Sequence, residues 1–165
     1  MKIGLISDTH LSRFDQRLAK ITGKYFKDVD FILHAGDIVD LRVLEGFGDK
    51  EVKAVYGNMD PLSVQGALPQ EIMLDLMGFK VALIHGWGMP LGIEKRIINK
   101  IGRHVDCVIY GHTHKACIKN HEGILFLNPG SPTDKRFADR NTIGILEIGE
   151  KPYGRIIELT DEMFC

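Results

Sequence analysis

Along the first two-thirds of the chain, short runs of Ile, Val, Leu and Phe alternate with stretches whose apolar residues recur at helical spacing. The runs predict strands near 2–6 (KIGLI), 30–34 (DFILH), 52–56 (VKAVY), 72–76 (IMLDL), 79–84 (FKVALI) and 106–110 (DCVIY). The early runs are almost continuously apolar, which implies burial on both faces, as in a parallel or mixed sheet. FKVALI follows IMLDL across a short Met-Gly turn and reads as a hairpin.

Helices fit between these strands. A Ser12-x-x-Asp15 capping pattern, with Phe14, Leu18, Ile21 and Tyr25 on one face, predicts the first. A short second helix covers about Leu41 to Phe47, with Asp40 placed either to cap it or to hold a nearby imidazole. A third runs from about Gly92 to Arg103, its apolar face made by Ile93, Ile97, Ile101 and Val105. Its Lys95, Arg96, Lys100 and Arg103 read as a solvated face rather than a nucleic-acid contact. From residue 115 the pattern turns to strands, near 116–119, 123–127, 142–148 and 153–159, separated by Gly, Pro and Asn. No linker or repeat interrupts the chain, so one α/β domain spanning 1–165 is the simplest organisation.

Composition narrows the partners. A formal net charge of -1 argues against binding nucleic acid or an anionic membrane through bulk charge, so an anionic substrate needs a local cation. Cys107, Cys117 and Cys165 are odd in number and irregularly spaced, which fits a reducing compartment and gives neither a disulfide framework nor a thiolate metal site. The opening MKIGLISDTH reaches an acid too early for a signal peptide, and no apolar run approaches the ~18 residues of a membrane span. The expected location is cytoplasmic, without a membrane partner; self-association is left open.

The residues just beyond each buried run carry the chemistry. KIGLIS leads to Asp8 and His10, DFILHAG to Asp37, VKAVYG to Asn58, VALI to His85, and CVIYG to His112 and His114. In α/β sheets the carboxyl edge is where sites form, because rigid strands fix position and the next loop aims the side chain. Glycines 36, 57, 86 and 111 would let backbone approach a bound ion closely. Four imidazoles, two carboxylates and an amide oxygen form a mixed N/O set without sulfur. That set favours manganese, nickel, cobalt, iron or zinc over a thiolate-bound zinc or magnesium alone.

The series Asp8-x-His10, Gly36-Asp37-x-x-Asp40, Gly57-Asn58, His85-Gly86 and Gly111-His112-x-His114 closely resembles the calcineurin-like metallophosphoesterase superfamily. The short bacterial and archaeal phosphodiesterase branch looks nearest, through the late Asn128-Pro-Gly-Ser131 motif as well. The resemblance implies a four-layer α/β/β/α sandwich with mixed sheets and two divalent ions, manganese first. Asp8, His10, Asp37 and His114 would hold one ion; Asp37 would bridge to a second, completed by Asn58, His85 and His112. A bridging hydroxide would attack a phosphate ester in line, with Asp37, Asn58, His85 and His112 acting through the ions. A small phosphate ester is the implied partner, nucleic acid only as substrate. The superfamily's third block usually carries a histidine after Gly-Asn, whereas Met59 stands here and can donate no proton. Diesters with good leaving groups are expected, or another donor such as His121 or a metal-bound water. The alternatives are a scaffold on the same fold, as the retromer subunit that resembles this branch, or a phosphomonoesterase or nuclease.

Smaller readings complete the set. Asp60 before Pro61 either orients Asn58 or shapes a turn. His34 is expected to be a hydrogen-bonded structural histidine, and His104 and His121 surface residues. Trp87 and Met89 either wall a pocket or give partial core cover. Ser131, Lys135 and Arg136 are expected in a solvated loop, with a phosphate contact as the sharper option.

Overall fold

A computed structural model describes residues 1–134 and 136–160. Strands β1 (Lys2–Ile6), β2 (Phe31–His34), β3 (Val52–Ala54), β9 (Thr142–Ile148) and β10 (Pro152–Glu158) form one sheet in the order β10-β9-β1-β2-β3. Strands β4 (Glu71–Leu76), β5 (Phe79–Ile84), β6 (Cys107–Ile109), β7 (Cys117–His121) and β8 (Ile124–Asn128) form the other, ordered β4-β5-β6-β8-β7. Each sheet contains a parallel trio, β1-β2-β3 and β5-β6-β8; antiparallel β9 and β10 extend the first on one side, and antiparallel β4 and β7 flank the second.

Period-two alternation sorts the side chains into layers. Ile3 and Leu5 of β1, with Phe31 and Leu33 of β2, meet Val81, Leu83, Cys107, Ile109 and Leu127 between the sheets. The intervening positions face outward but are also covered. Ile32, Ile143 and Ile145 pack on Leu18 and Ile21 of helix α1 (Gln16–Tyr25) and on Val43 and Phe47 of a 3₁₀ helix (Leu41–Phe47). Ala82, Val108, Ile124 and Phe126 pack on Ile93, Ile97, Ile98 and Ile101 of α3 (Ile93–Ile101). Three apolar interfaces therefore separate four layers, which is why the early runs have no polar alternation.

The boundaries differ from the pattern in instructive places. Ser12 does not cap the first helix; Asp15 does, its carboxylate accepting from Arg17 N at 2.9 Å, so Phe14 lies outside the helix and is 45% exposed. Asp40 takes the capping role, accepting from Arg42 N at 2.9 Å. A four-residue helix α2 (Leu62–Gln65) is too short to leave a periodic signal. The basic face of α3 is not simply solvated: Lys100 reaches Gln70 Oε1 at 2.7 Å, Arg103 pairs with Glu122, and Arg96 turns back on the loop before its own helix. No helix among the described residues is long and apolar enough to cross a membrane.

Phe126 is fully buried under α3, edge-on to Tyr110 at 5.9 Å. Phe126→Ala should cost about 3–5 kcal/mol in denaturant unfolding; a loss under about 1 kcal/mol would mean that the α3 layer closes without it.

Candidate metal centre

The six parallel strands deliver their carboxyl ends to one edge, and all seven strand-end ligand candidates meet there. One donor atom each from Asp8, His10, Asp37 and His114 lies within 4.8 Å of the other three. His10 Nε2 is 3.1 Å from His114 Nε2 and 3.6 Å from Asp37 Oδ2, and His114 Nε2 is 3.5 Å from Asp8 Oδ1. At the same Asp37 oxygen, His85 Nε2 stands 3.3 Å away, and it lies 3.2 Å from Asn58 Oδ1. His112 Nδ1 is 2.8 Å from the same amide oxygen.

The backbone is bent into this shape. Asp8, His10, Asp37, His112 and His114 all have positive φ, between 47° and 74°, where side chains with a Cβ are disfavoured. The neighbouring glycines serve close approach. A Cβ on Gly57 would collide with Asp37 Oδ1, and one on Gly111 would lie 2.8 Å from Asp8 Oδ2.

Three imidazoles have one nitrogen committed outside the cluster. His85 Nδ1 meets Ala35 O at 2.7 Å, His112 Nε2 meets Gly88 O at 2.8 Å, and His114 Nδ1 pairs with the Asp134 carboxylate. Each of these acceptors requires an N–H, so the remaining ring nitrogen presents its lone pair inward when the ring is neutral. At His85 that lone pair faces two oxygens. A proton or a cation belongs between them.

The charges are tuned by the same contacts. Burial raises the Asp8 carboxyl above its ordinary value despite nearby imidazoles. Burial also opposes ionisation of Asp37, but the hydrogen bond with His85 and the Met59 N–H outweigh it and hold that carboxyl low. For His85, burial would lower the pKa, yet Asp37 and Asp8 together raise it.

Four supports have roles that the sequence does not specify. Asp60 is 3% exposed, and its carboxylate accepts from Asp37 N at 3.1 Å, Gly57 N at 2.8 Å and Val39 N at 2.5 Å. It ties the β2 and β3 loops together rather than orienting the Asn58 side chain. Ser131 is fully buried, donating to Asp8 O at 2.7 Å, which corrects its assignment to a solvated loop. Asp134 both holds His114 and accepts from Arg136 N and Phe137 N. Arg96 bonds the carbonyls of Trp87, Met89 and Leu91, fixing the loop that offers Gly88 O to His112.

Asp40 points at Arg42, away from the imidazoles. His121 packs on Phe126 at 6.0 Å and does not line the cleft, so it is no substitute proton donor. His104 is exposed. Trp87 lines a small hollow behind His85, while Met89 is 73% exposed and lines neither that hollow nor the main cleft. Arg136 lines the main cleft, and Lys135 lies outside the described residues. His34 is structural as expected, with Nε2 at 3.2 Å from Thr9 Oγ1 and Nδ1 accepting from Gly36 N.

A sequence model of the calcineurin-like phosphoesterase superfamily domain matches residues 1–151. The chain is 36% identical to a probable metallophosphoesterase of Methanocaldococcus jannaschii, over 98% of this chain and 83% of that one. A phosphodiesterase from the same organism is 31% identical over 95% and 99%. Among solved structures, an archaeal phosphodiesterase superposes with a TM-score of 0.77 at 28% identity, covering 96% of this chain and all of that one. A zinc complex of Vps29 from Entamoeba histolytica shares the fold, with a TM-score of 0.68 at 24% identity over 96% and 99%.

Two outcomes test this construction. Asp60→Asn sets an amide N–H against backbone N–H donors and should cost about 1.5–3 kcal/mol in unfolding; no loss would mean water replaces the carboxylate. Burial pushes His34 from 6.5 to about 3, so between those values the unfolded chain binds a proton that the folded one refuses. Stability should therefore fall as pH drops through that window, by up to about 1.4 kcal/mol per pH unit. Titrating wild type against His34→Gln isolates this term, and identical acid limbs would refute it.

Proposed function

Because this chain belongs to the calcineurin-like phosphoesterase superfamily, we propose that its strand-end cluster holds two divalent cations and hydrolyses phosphodiesters. The observation that carries this reading is the sharing of Asp37. Its carboxylate lies between one donor set, Asp8, His10 and His114, and a second, Asn58, His85 and His112. A single ion would leave one set of inward lone pairs uncompensated.

The donors fit the group. Imidazoles with fixed tautomers, two carboxylates and an amide oxygen suit manganese first, with nickel, cobalt, iron or zinc as alternatives. Bound there, such ions would supply positive charge for the non-bridging phosphate oxygens and lower the pKa of a water toward neutrality. The chain's own residues fix geometry. Asp134, Ala35 O and Gly88 O hold three rings in orientation, and the Met59 N–H steadies Asp37 Oδ1 at 2.8 Å.

Hydrolysis joins a water oxygen to phosphorus, breaks the bond to the leaving oxygen and delivers a proton to the departing alcohol. The Met59 side chain can carry no proton, so esters of acidic alcohols are the favoured substrates. A protein serving assembly alone would gain nothing from burying Asp8 and Asp37 on disfavoured backbone.

The test is a panel of p-nitrophenyl diesters and monoesters with Mn, Ni, Co, Zn or Mg, repeated on Asp37→Asn and His112→Ala. Diester turnover should exceed monoester turnover and fall by about a hundredfold or more in both variants. Equal background in all three proteins would end the catalytic reading, and a monoester preference would move it to a phosphomonoesterase. Manganese should also raise the wild-type melting temperature and release protons on binding; no shift with any of the ions would count against the centre.

A further inference from the structure

The cleft beside the cluster is larger than a phosphate group requires. Its volume is about 840 Å³, in the range of pockets that enclose whole small molecules. One end is the carboxylate–imidazole cluster. Apolar residues line the cleft as well: Leu11, Met59, Pro90 and Phe137.

Phe137 is the unusual member. It is 68% exposed, yet it is held in place rather than left to wander. Its backbone N–H donates to Asp134 Oδ2 at 3.1 Å, and its ring stands at 88° to the His114 ring with centroids 5.7 Å apart. The turn beneath it is pinned as well: Asp134 N donates to Ser131 Oγ at 2.9 Å, and Asn141 Nδ2 donates to Asp134 O at 2.8 Å. One carboxylate thus fixes both a cluster imidazole and a solvent-facing ring. The Met59 side chain, 61% exposed, lines the same cleft, at the position that no longer offers an imidazole.

A fixed, uncovered aromatic ring loses little entropy when a flat ligand stacks on it, so such a surface favours planar partners. The charges at the rim agree. Arg17 and Arg136 both line the cleft; Arg17 is engaged by Asp15 through two contacts, Nε to Oδ1 at 2.9 Å and Nη2 to Oδ2 at 2.6 Å, and Arg136 lies on the Phe137 turn. A guanidinium plane also stacks on heteroaromatic rings.

We propose that this cleft selects phosphodiesters whose non-reacting arm carries a planar aromatic or heteroaromatic ring, of the nucleoside type. The ring lies against Phe137 and Met59 while the phosphate meets the cluster. The proposal rests on the phosphoesterase reading, and it separates this chain's substrates from alkyl and polyol diesters, which would leave Phe137 uncovered.

Two esters with one leaving group isolate the arm: thymidine 5′-(p-nitrophenyl) phosphate and methyl p-nitrophenyl phosphate, each with manganese. The thymidyl ester should be favoured in kcat/KM by about tenfold or more, chiefly through KM. Phe137→Ala should bring that ratio to within about twofold of one, and Phe137→Tyr should keep it. A wild-type ratio near one, or a ratio untouched by Phe137→Ala, overturns the proposal. A binding measurement separates the two readings. Phenylphosphonate, cyclohexylphosphonate and methylphosphonate are titrated calorimetrically into the manganese-treated protein and into Phe137→Ala. If neither ester turns over, Phe137-dependent preference for the phenyl ligand sustains the ring site and sinks only the catalytic reading. Equal affinities for phenyl and cyclohexyl ligands would instead sink the ring site.

Discussion

Two carboxylates buried against imidazoles set the terms for everything else in this molecule. Asp8 and Asp37 are 0% and 2% exposed, where an uncompensated charge is costly. Asp8 is met by the His112 N–H at 3.1 Å to each of its oxygens, a bond that crosses from one sheet to the other. Asp37 is met by Met59 N from its own sheet and by His85 from the other. Neither carboxylate is fully satisfied within its own sheet, so the two parallel strand trios must face each other with their carboxyl ends aligned. The sandwich is the arrangement that lets distant loops share one charge balance.

That arrangement stores strain, and apolar packing offsets it. Each left-handed residue at the edge costs on the order of 1–3 kcal/mol. It persists because its strand is gripped on both faces: β1 by Ile3 and Leu5 on one side and by Ile6 on the other. The edge is also braced from outside. Asp60 joins two loops through three backbone N–H groups, and Arg96 gathers three carbonyls of a third. Rigid strands therefore aim the ligand candidates, while a polar shell fixes their final angles. Loops alone would not hold four imidazoles this closely without a bound ion.

Part of this is legible in the sequence, because it obeys one rule. A strand buried on both faces has no use for a polar residue until it ends, so the first Asp, His or Asn beyond it stands out. That logic marks Asp8, Asp37, Asn58, His85 and His112 and the layers behind them. It cannot mark Asp60, which takes backbone N–H groups from the β2 loop, or Asp134, which meets the His114 ring from another loop; both contacts are visible only when the loops are folded together. Ser12 and Asp15 show the same limit at short range, since both can cap and only the folded turn selects Asp15. Ser131 escapes the rule although β8 is also a parallel strand whose loop enters the site. Its Asn128-Pro-Gly-Ser motif has the composition of a turn, and turns are ordinarily solvated.

The ring orientations explain why this edge tolerates so concentrated a set of acceptors. His85, with Nδ1 spent on Ala35 O, has an Nε2 that must carry a proton beside Asp37 or give its lone pair to a cation. The raised pKa of His85 and the low one of Asp37 are two sides of that choice. The proton is a stand-in of the same sign in the same place, so a cation taken up there would displace it. The strain is held by the strands and by Asp60, whose carboxylate is bonded to backbone N–H groups rather than to the imidazoles.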